Sequence, residues 1–164
     1  MFGLLRTTIL SLALAFGAGA ALAQDFQKGF AAYNASDYAT AMQEWRPLAE
    51  QGNLTAQYNL GLLYDNGWGV LQDYAEAVKW YRLAAEQGHV TSQNNLGVMY
   101  KFGNGVLQNN VMAHMWYNIA AANGAEKAGE WRDERAGLMT SADISKAQSM
   151  AKECMSSKYK NCGW

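Results

Sequence analysis

The sequence predicts an all-α fold built from repeated antiparallel helix pairs. Three observations carry that prediction: a segment recurs every 36 residues, its apolar residues fall at helical spacing, and glycines close each helix pair at matching places. When the chain is shifted by 36 residues, "AQYNLGLLYDNGWGVLQDYAEAVKWYRLAAEQG" (56–88) falls on "SQNNLGVMYKFGNGVLQNNVMAHMWYNIAAANG" (92–124). The two share 16 identities in 33 positions, where unrelated segments would share about two. The same shift places 37–52 on 73–88.

Each unit reads as two helices. The first carries Ala56, Leu60, Leu63 and Tyr64 on one stripe. It gives way to Gly67 and Gly69, copied as Gly103 and Gly105, in a turn where positive φ comes easily only to glycine. The second helix opens on Asp73 with Glu76 three residues later, an arrangement that caps the free N–H groups of its first turn. Ala77, Trp80, Tyr81 and Ala84 form its buried stripe, and Gly88 closes it, as Gly52 and Gly124 close its copies. Gly61 and Gly97 lie inside first helices, where glycine costs about 1 kcal/mol against alanine. We read them as places where a missing side chain lets the neighbouring helix approach. A phosphate cradle would need a Lys-Ser/Thr after the glycines and a strand before them; here Val70-Leu71 follows and a helix precedes.

The repeat sets the organisation. Residues 1–23, with Arg6, an apolar run and Ala21–Ala23, read as a signal peptide cleaved before Gln24. The run is short for a membrane span of about 20 residues. A solenoid is expected over 24–157: a partial unit (25–52), full units (53–88 and 89–124) and capping helices (125–157), then a tail (158–164). Pro47 should bend its helix mildly. In the cap, a helix over 125–138 precedes a last one opened by Thr140 and Asp143, with Ile144, Ala147, Ala151 and Cys154 on one face.

The first 23 residues hold one of the 13 basic residues and no acid, which leaves 12 against 14 and a net charge of −2. That balance is no footprint for nucleic acid. Two cysteines, Cys154 and Cys162, suit a disulfide in an exported protein; a redox pair would more commonly sit closer, as C-x-x-C. The chain has no H-E-x-x-H, C-x-x-C or G-x-S-x-G motif. His89 follows a helix-closing glycine, where it can interact with the end of the preceding helix, and His114 stands where the preceding unit has Val78. No catalytic residue, metal site or cofactor is expected.

The quoted segments resemble Sel1-like repeats, the 36-residue relatives of the tetratricopeptide repeat. The opening "KGFAAYNASDYATAMQEW" is closer to a plain tetratricopeptide hairpin, since its turn after Tyr33 lacks the G-x-G-V segment. The resemblance implies a right-handed α-solenoid of about eight helices that acts as a scaffold or adaptor for other proteins. In tetratricopeptide relatives a first-helix asparagine can hold a peptide backbone or carboxylate, a role that would fall to Asn59 and Asn95; a structural hydrogen bond is the other reading. Some secreted, cysteine-rich members have been associated with β-lactams, but they carry a cysteine pair in each repeat. Here one such pair lies in the tail, beside Ser157 and Lys160, which have Ser-x-x-Lys spacing at the end of the chain's last helix.

A partner would meet the first helices along a concave groove. Stepping 100° per residue from Ala56 turns Tyr58, Leu62 and Asp65 away from the core. Their copies are Asn94, Val98 and Lys101, so this face varies while the frame repeats. A plain solvated face would vary in the same way. Trp68, in the turn, is copied as Asn104 and joins the candidate site. The expectation is a non-catalytic, protein- or peptide-binding scaffold of the bacterial cell envelope, periplasmic or secreted. The alternatives are an envelope enzyme or glycan-binding protein acting on cell-wall material, and a structural subunit of a larger assembly.

Overall fold

The computed structural model describes residues 26–160, 162 and 163; the expected signal peptide lies outside them. The described residues form eight helices and no strand: α1 (26–34), α2 (Tyr38–Glu50), α3 (Leu54–Asn66), α4 (Tyr74–Ala85), α5 (Val90–Phe102), α6 (Asn110–Ala122), α7 (Ala128–Ala136) and α8 (Ser141–Ser156). None is long and apolar enough to cross a membrane. The molecule is an all-α solenoid of helix pairs, with α7 and α8 packed on α6 at its end.

Short polar side chains open the helices. Asp37, Asn53, Asp73, Asn109 and Thr140 each accept a backbone N–H from the first turn that follows. α2 runs through Pro47 to Glu50 without a break. The helix expected over 125–138 is shorter. Lys127 supplies no side-chain cap, and the helix starts only at Ala128, which is fully buried against the core.

Inside each pair an aromatic ring is seated on a glycine. A methyl group added at Gly61 would stand 2.5 Å from the Tyr81 ring, and one at Gly97 would stand 2.5 Å from the Tyr117 ring. The first pair repeats the device: the same addition at Gly29 would meet the Trp45 indole at 2.5 Å. Trp45, Tyr81 and Tyr117 are spaced by 36 residues, whereas Gly29 and Gly61 differ by 32, because the first turn is four residues shorter. A second glycine in each long turn joins neighbouring units. Gly69, at φ 69°, stands against the backbone of Tyr38 and Ala39 where α2 begins; Gly105, at φ 68°, stands against Tyr74 and Ala75 where α4 begins. Neither has room for a side chain.

Polar side chains repeat between units too. Arg46 Nη2 donates to Tyr64 Oη at 2.7 Å, and Arg82 Nη2 to Tyr100 Oη at 2.9 Å. The buried Gln57 and Gln93 amides donate to the Ala49 and Ala85 carbonyls at 3.0 and 3.3 Å, pairing acceptors that a helix end leaves over. Gln87 then donates to Gln57 at 2.7 Å, and Asn123 to Gln93 at 2.8 Å.

The tail fastens this relay. Cys154 and Cys162 are both buried and are joined in a disulfide. The chain reverses through Lys158 and Tyr159, at φ 55° and 64°. Tyr159 Oη meets the Asn123 amide at 2.9 Å.

Two outcomes follow for chemical unfolding. Gly61→Ala should lower stability by about 1–2 kcal/mol, since overpacking against Tyr81 outweighs the gain in helix propensity. Gly129→Ala, with nothing within 4 Å, should instead raise it by up to about 1 kcal/mol. Reduction of Cys154–Cys162 should shift the guanidinium midpoint downward by the equivalent of roughly 2–3 kcal/mol.

Candidate functional site

The candidate site is the face presented by α3 and α5. Tyr58, Asn59, Leu62 and Asp65 lie on α3 and Asn94, Asn95, Val98 and Lys101 on α5; all eight are half-buried. They are therefore more enclosed than the helical projection alone implied. The enclosure comes from the aromatic rings of the second helices and from α7.

At the α3 part of the face, Tyr58 and Asp65 meet Tyr81 of α4, Asn95 of α5 and His89. Tyr81 Oη donates to Asp65 Oδ2 at 3.1 Å, and Asn95 is hydrogen-bonded to the same hydroxyl. The Tyr58 ring lies 6.2 Å from the Tyr81 ring and 4.6 Å from the His89 ring. Burial pushes the Tyr81 phenol far above its ordinary range, and the Asp65 carboxylate beside it adds to the effect. Burial likewise raises Asp65 and Tyr58. Asn95 thus has a structural hydrogen bond across the unit boundary.

On α5 the charge reverses. Lys101 occupies the place of Asp65 and reaches Glu134 on α7 at 3.3 Å. Tyr117, the copy of Tyr81, is pushed up to about 12, chiefly by burial. Asn94 lines a cleft of about 310 Å³ with Val90, Thr91, Lys127 and Trp131, and its buried amide oxygen has no hydrogen-bond partner among the described residues. Trp68 lies elsewhere. Its ring stacks on Tyr38 at 5.1 Å and lies 6.0 Å from Tyr33, at the joint between the first two helix pairs.

Three features escaped the sequence reading. Glu134 and Trp131 sit outside the repeat, where no copy marks them. Tyr81 had registered only as packing, although its hydroxyl organises the polar cluster. His89 does not act on the preceding helix through its ring. Its backbone N–H closes α4 on the Ala84 carbonyl at 3.0 Å, while its Nδ1 caps α5 by accepting from Ser92 N at 3.2 Å. It takes the place that Asn53 holds one unit earlier. His114 is buried, with no hydrogen-bond partner at Nδ1 among the described residues. Among the described residues no group of His, Cys, Asp and Glu could hold a metal ion.

Burial holds His89 below its ordinary value of 6.5, as it does His114. As pH falls below about 6.5 the unfolded chain takes up protons first, so stability is lost with falling pH. His89 also loses its capping lone pair on protonation. His89→Asn, which restores the cap of the preceding unit, should flatten part of that acid-side loss between pH 7 and 5 in urea titrations. The part due to His114 should remain.

The comparisons with known proteins agree with this geometry. The Sel1 repeat model matches residues 54–89 and 90–124. No curated protein matches the chain. Among solved structures, a protective antigen present in uropathogenic Escherichia coli strains, displaying an SLR fold, superposes with a TM-score of 0.78 at 26% identity, over 84% of this chain and 31% of that one. A Sel1 repeat protein from Oxalobacter formigenes superposes with a TM-score of 0.60 at 37% identity, over 65% of this chain and 44% of that one. The chain spans less than half the length of either solved relative. The chain carries two Sel1 repeats, which run in tandem from 54 to 124.

Proposed function

We propose that this protein is a non-catalytic scaffold of the bacterial cell envelope that binds a protein or peptide along the face of α3 and α5. Sel1-repeat proteins are in general scaffolds for protein interactions. One observation carries the reading to this face. The frame repeats residue for residue, in Gly61/Gly97, Tyr81/Tyr117, Arg46/Arg82 and Gln57/Gln93, while Tyr58/Asn94, Leu62/Val98 and Asp65/Lys101 change in size, polarity and charge. Half-buried aromatic and aliphatic groups beside charged ones are the materials of an interface core with a polar rim. The leader-like first 23 residues and the Cys154–Cys162 bridge support an exported, periplasmic or secreted location.

The test is affinity capture from envelope extract with the chain from Gln24, beside a Tyr58→Ala/Leu62→Ala/Val98→Ala variant whose fold is checked by circular dichroism. A partner held by the wild type should be lost, at least tenfold, by the folded variant. Equal capture by both would move the interface off this face, and no capture by either would count against the scaffold reading.

A further inference from the structure

The two tyrosines seated on first-helix glycines differ in what their hydroxyls meet. Tyr81 Oη has Asp65 and Asn95 as partners. Tyr117 sits on Gly97 in the same way and is only 1% exposed, but its hydroxyl has no hydrogen-bond partner among the described residues. Lys101 stands in the place of Asp65. Where α5 brings Asn95 to Tyr81, α7 brings the Trp131 ring, 5.8 Å from that of Tyr117. A buried hydroxyl left without an acceptor is costly, and such groups are rare in folded chains.

The charges around this hydroxyl are unbalanced. Arg135 and Glu134 both act on it. The Arg135 and Lys101 side chains are 11% and 19% exposed, and they share one carboxylate, the half-exposed Glu134. The buried Arg135 Nε has no hydrogen-bond partner among the described residues. Of the other charges on α7, Arg132 and Asp133 pair with each other at 2.8 Å, and Glu130 is exposed. The corner thus holds two enclosed cations, one carboxylate and two unused buried donors. The acceptor that Asp65 supplies one unit earlier is missing.

From this corner the α5 stripe runs through Val98 to Asn94, which lines the cleft of about 310 Å³ beside Trp131. Lys101 and Asn94 are about 10 Å apart along the helix, a distance that about three residues of extended chain cover.

We propose that this groove takes an acidic peptide segment, whose Glu or Asp side chain fills the place that Asp65 occupies one unit earlier. The carboxylate accepts from Tyr117 Oη and pairs with Lys101 and Arg135. Flanking apolar side chains lie on Val98 and Trp131, and the unpartnered Asn94 oxygen accepts a peptide N–H. The proposal rests on the reading of the α3/α5 face as an interface, and it names the chemistry of the partner.

The test is titration of the ¹⁵N-labelled chain from Gln24, read at the Trp131 indole N–H signal, which Trp131→Phe identifies. The probes are acetyl-Ala-Leu-Glu-Leu-Ala-amide, the same peptide with Gln for Glu, and inorganic phosphate. The Glu peptide should move the signal along a saturating curve, and the Gln peptide should bind at least tenfold more weakly. Tyr117→Phe, which keeps the ring on its glycine seat, and Lys101→Gln should each weaken the Glu peptide at least threefold. Glu134→Gln should tighten it at least threefold, because the competing carboxylate is gone; a merely structural Glu134 would have the opposite effect. Equal binding of the two peptides, no saturable shift, indifference to Tyr117→Phe and Lys101→Gln, or weakening by Glu134→Gln would overturn the proposal. Phosphate binding as tight as that of the Glu peptide would overturn it too, by assigning the corner to free anions. Failure here strikes the acidic partner alone. The capture experiment, whose variant leaves Lys101, Tyr117 and Arg135 in place, strikes the face as a whole.

Discussion

An aromatic ring pressed onto a bare glycine Cα sets the distance between the helices of each pair, and the rest of the molecule depends on that distance. Close-packed interiors leave no slack for one extra carbon, so Gly29, Gly61 and Gly97 fix where Trp45, Tyr81 and Tyr117 lie. With those rings in place, Arg46 and Arg82 reach the tyrosines of the next unit, and Gln57 and Gln93 reach the carbonyls of the one before. The seat is therefore more than a packing detail: it sets the register in which the polar groups between units find one another.

The same seat shapes the candidate site. Tyr81 points its hydroxyl at the α3 face, where it holds Asp65 and Asn95. One unit later the ring is retained, but Asp65 has become Lys101, and the balancing carboxylate, Glu134, comes from α7. A constant scaffold thus presents a negative group at one step and an ion pair at the next. A partly exposed pair of this kind adds little stability; what it changes is the charge that the face presents.

Legibility in the sequence followed repetition. The stripes of α3 and α4, the caps at Asp73 and Thr140 and the closing glycines were readable because each has a copy or a local signature. Gly29 was not: the shorter first turn breaks the 36-residue spacing, so its match to Gly61 appears only when both are seen against their rings. His89 misled because a residue between two helices belongs locally to both, and the sequence does not say which one its ring serves. Trp68 read as a free turn residue because its partners, Tyr33 and Tyr38, lie about thirty residues earlier in the chain. Glu134 and Trp131 had no copy at all. The candidate residues lie on α3 and α5, as their helical spacing implied, but how enclosed they are depends on neighbours that a single-helix projection omits.

The tail gives the stack a direction. Tyr159 bolts Asn123, Asn123 holds Gln93, and Gln93 holds the end of α4, with the disulfide locking the first link. At the other end, α1 is held by the Trp45 seat, the Lys28–Glu44 ion pair, a backbone carbonyl and a few rings, with no covalent latch among the described residues. In a linear array whose stability is a sum of neighbour terms, such asymmetry makes opening sequential. On that footing, thermal opening is expected to start at α1 and move inward, with the latched end the last to melt.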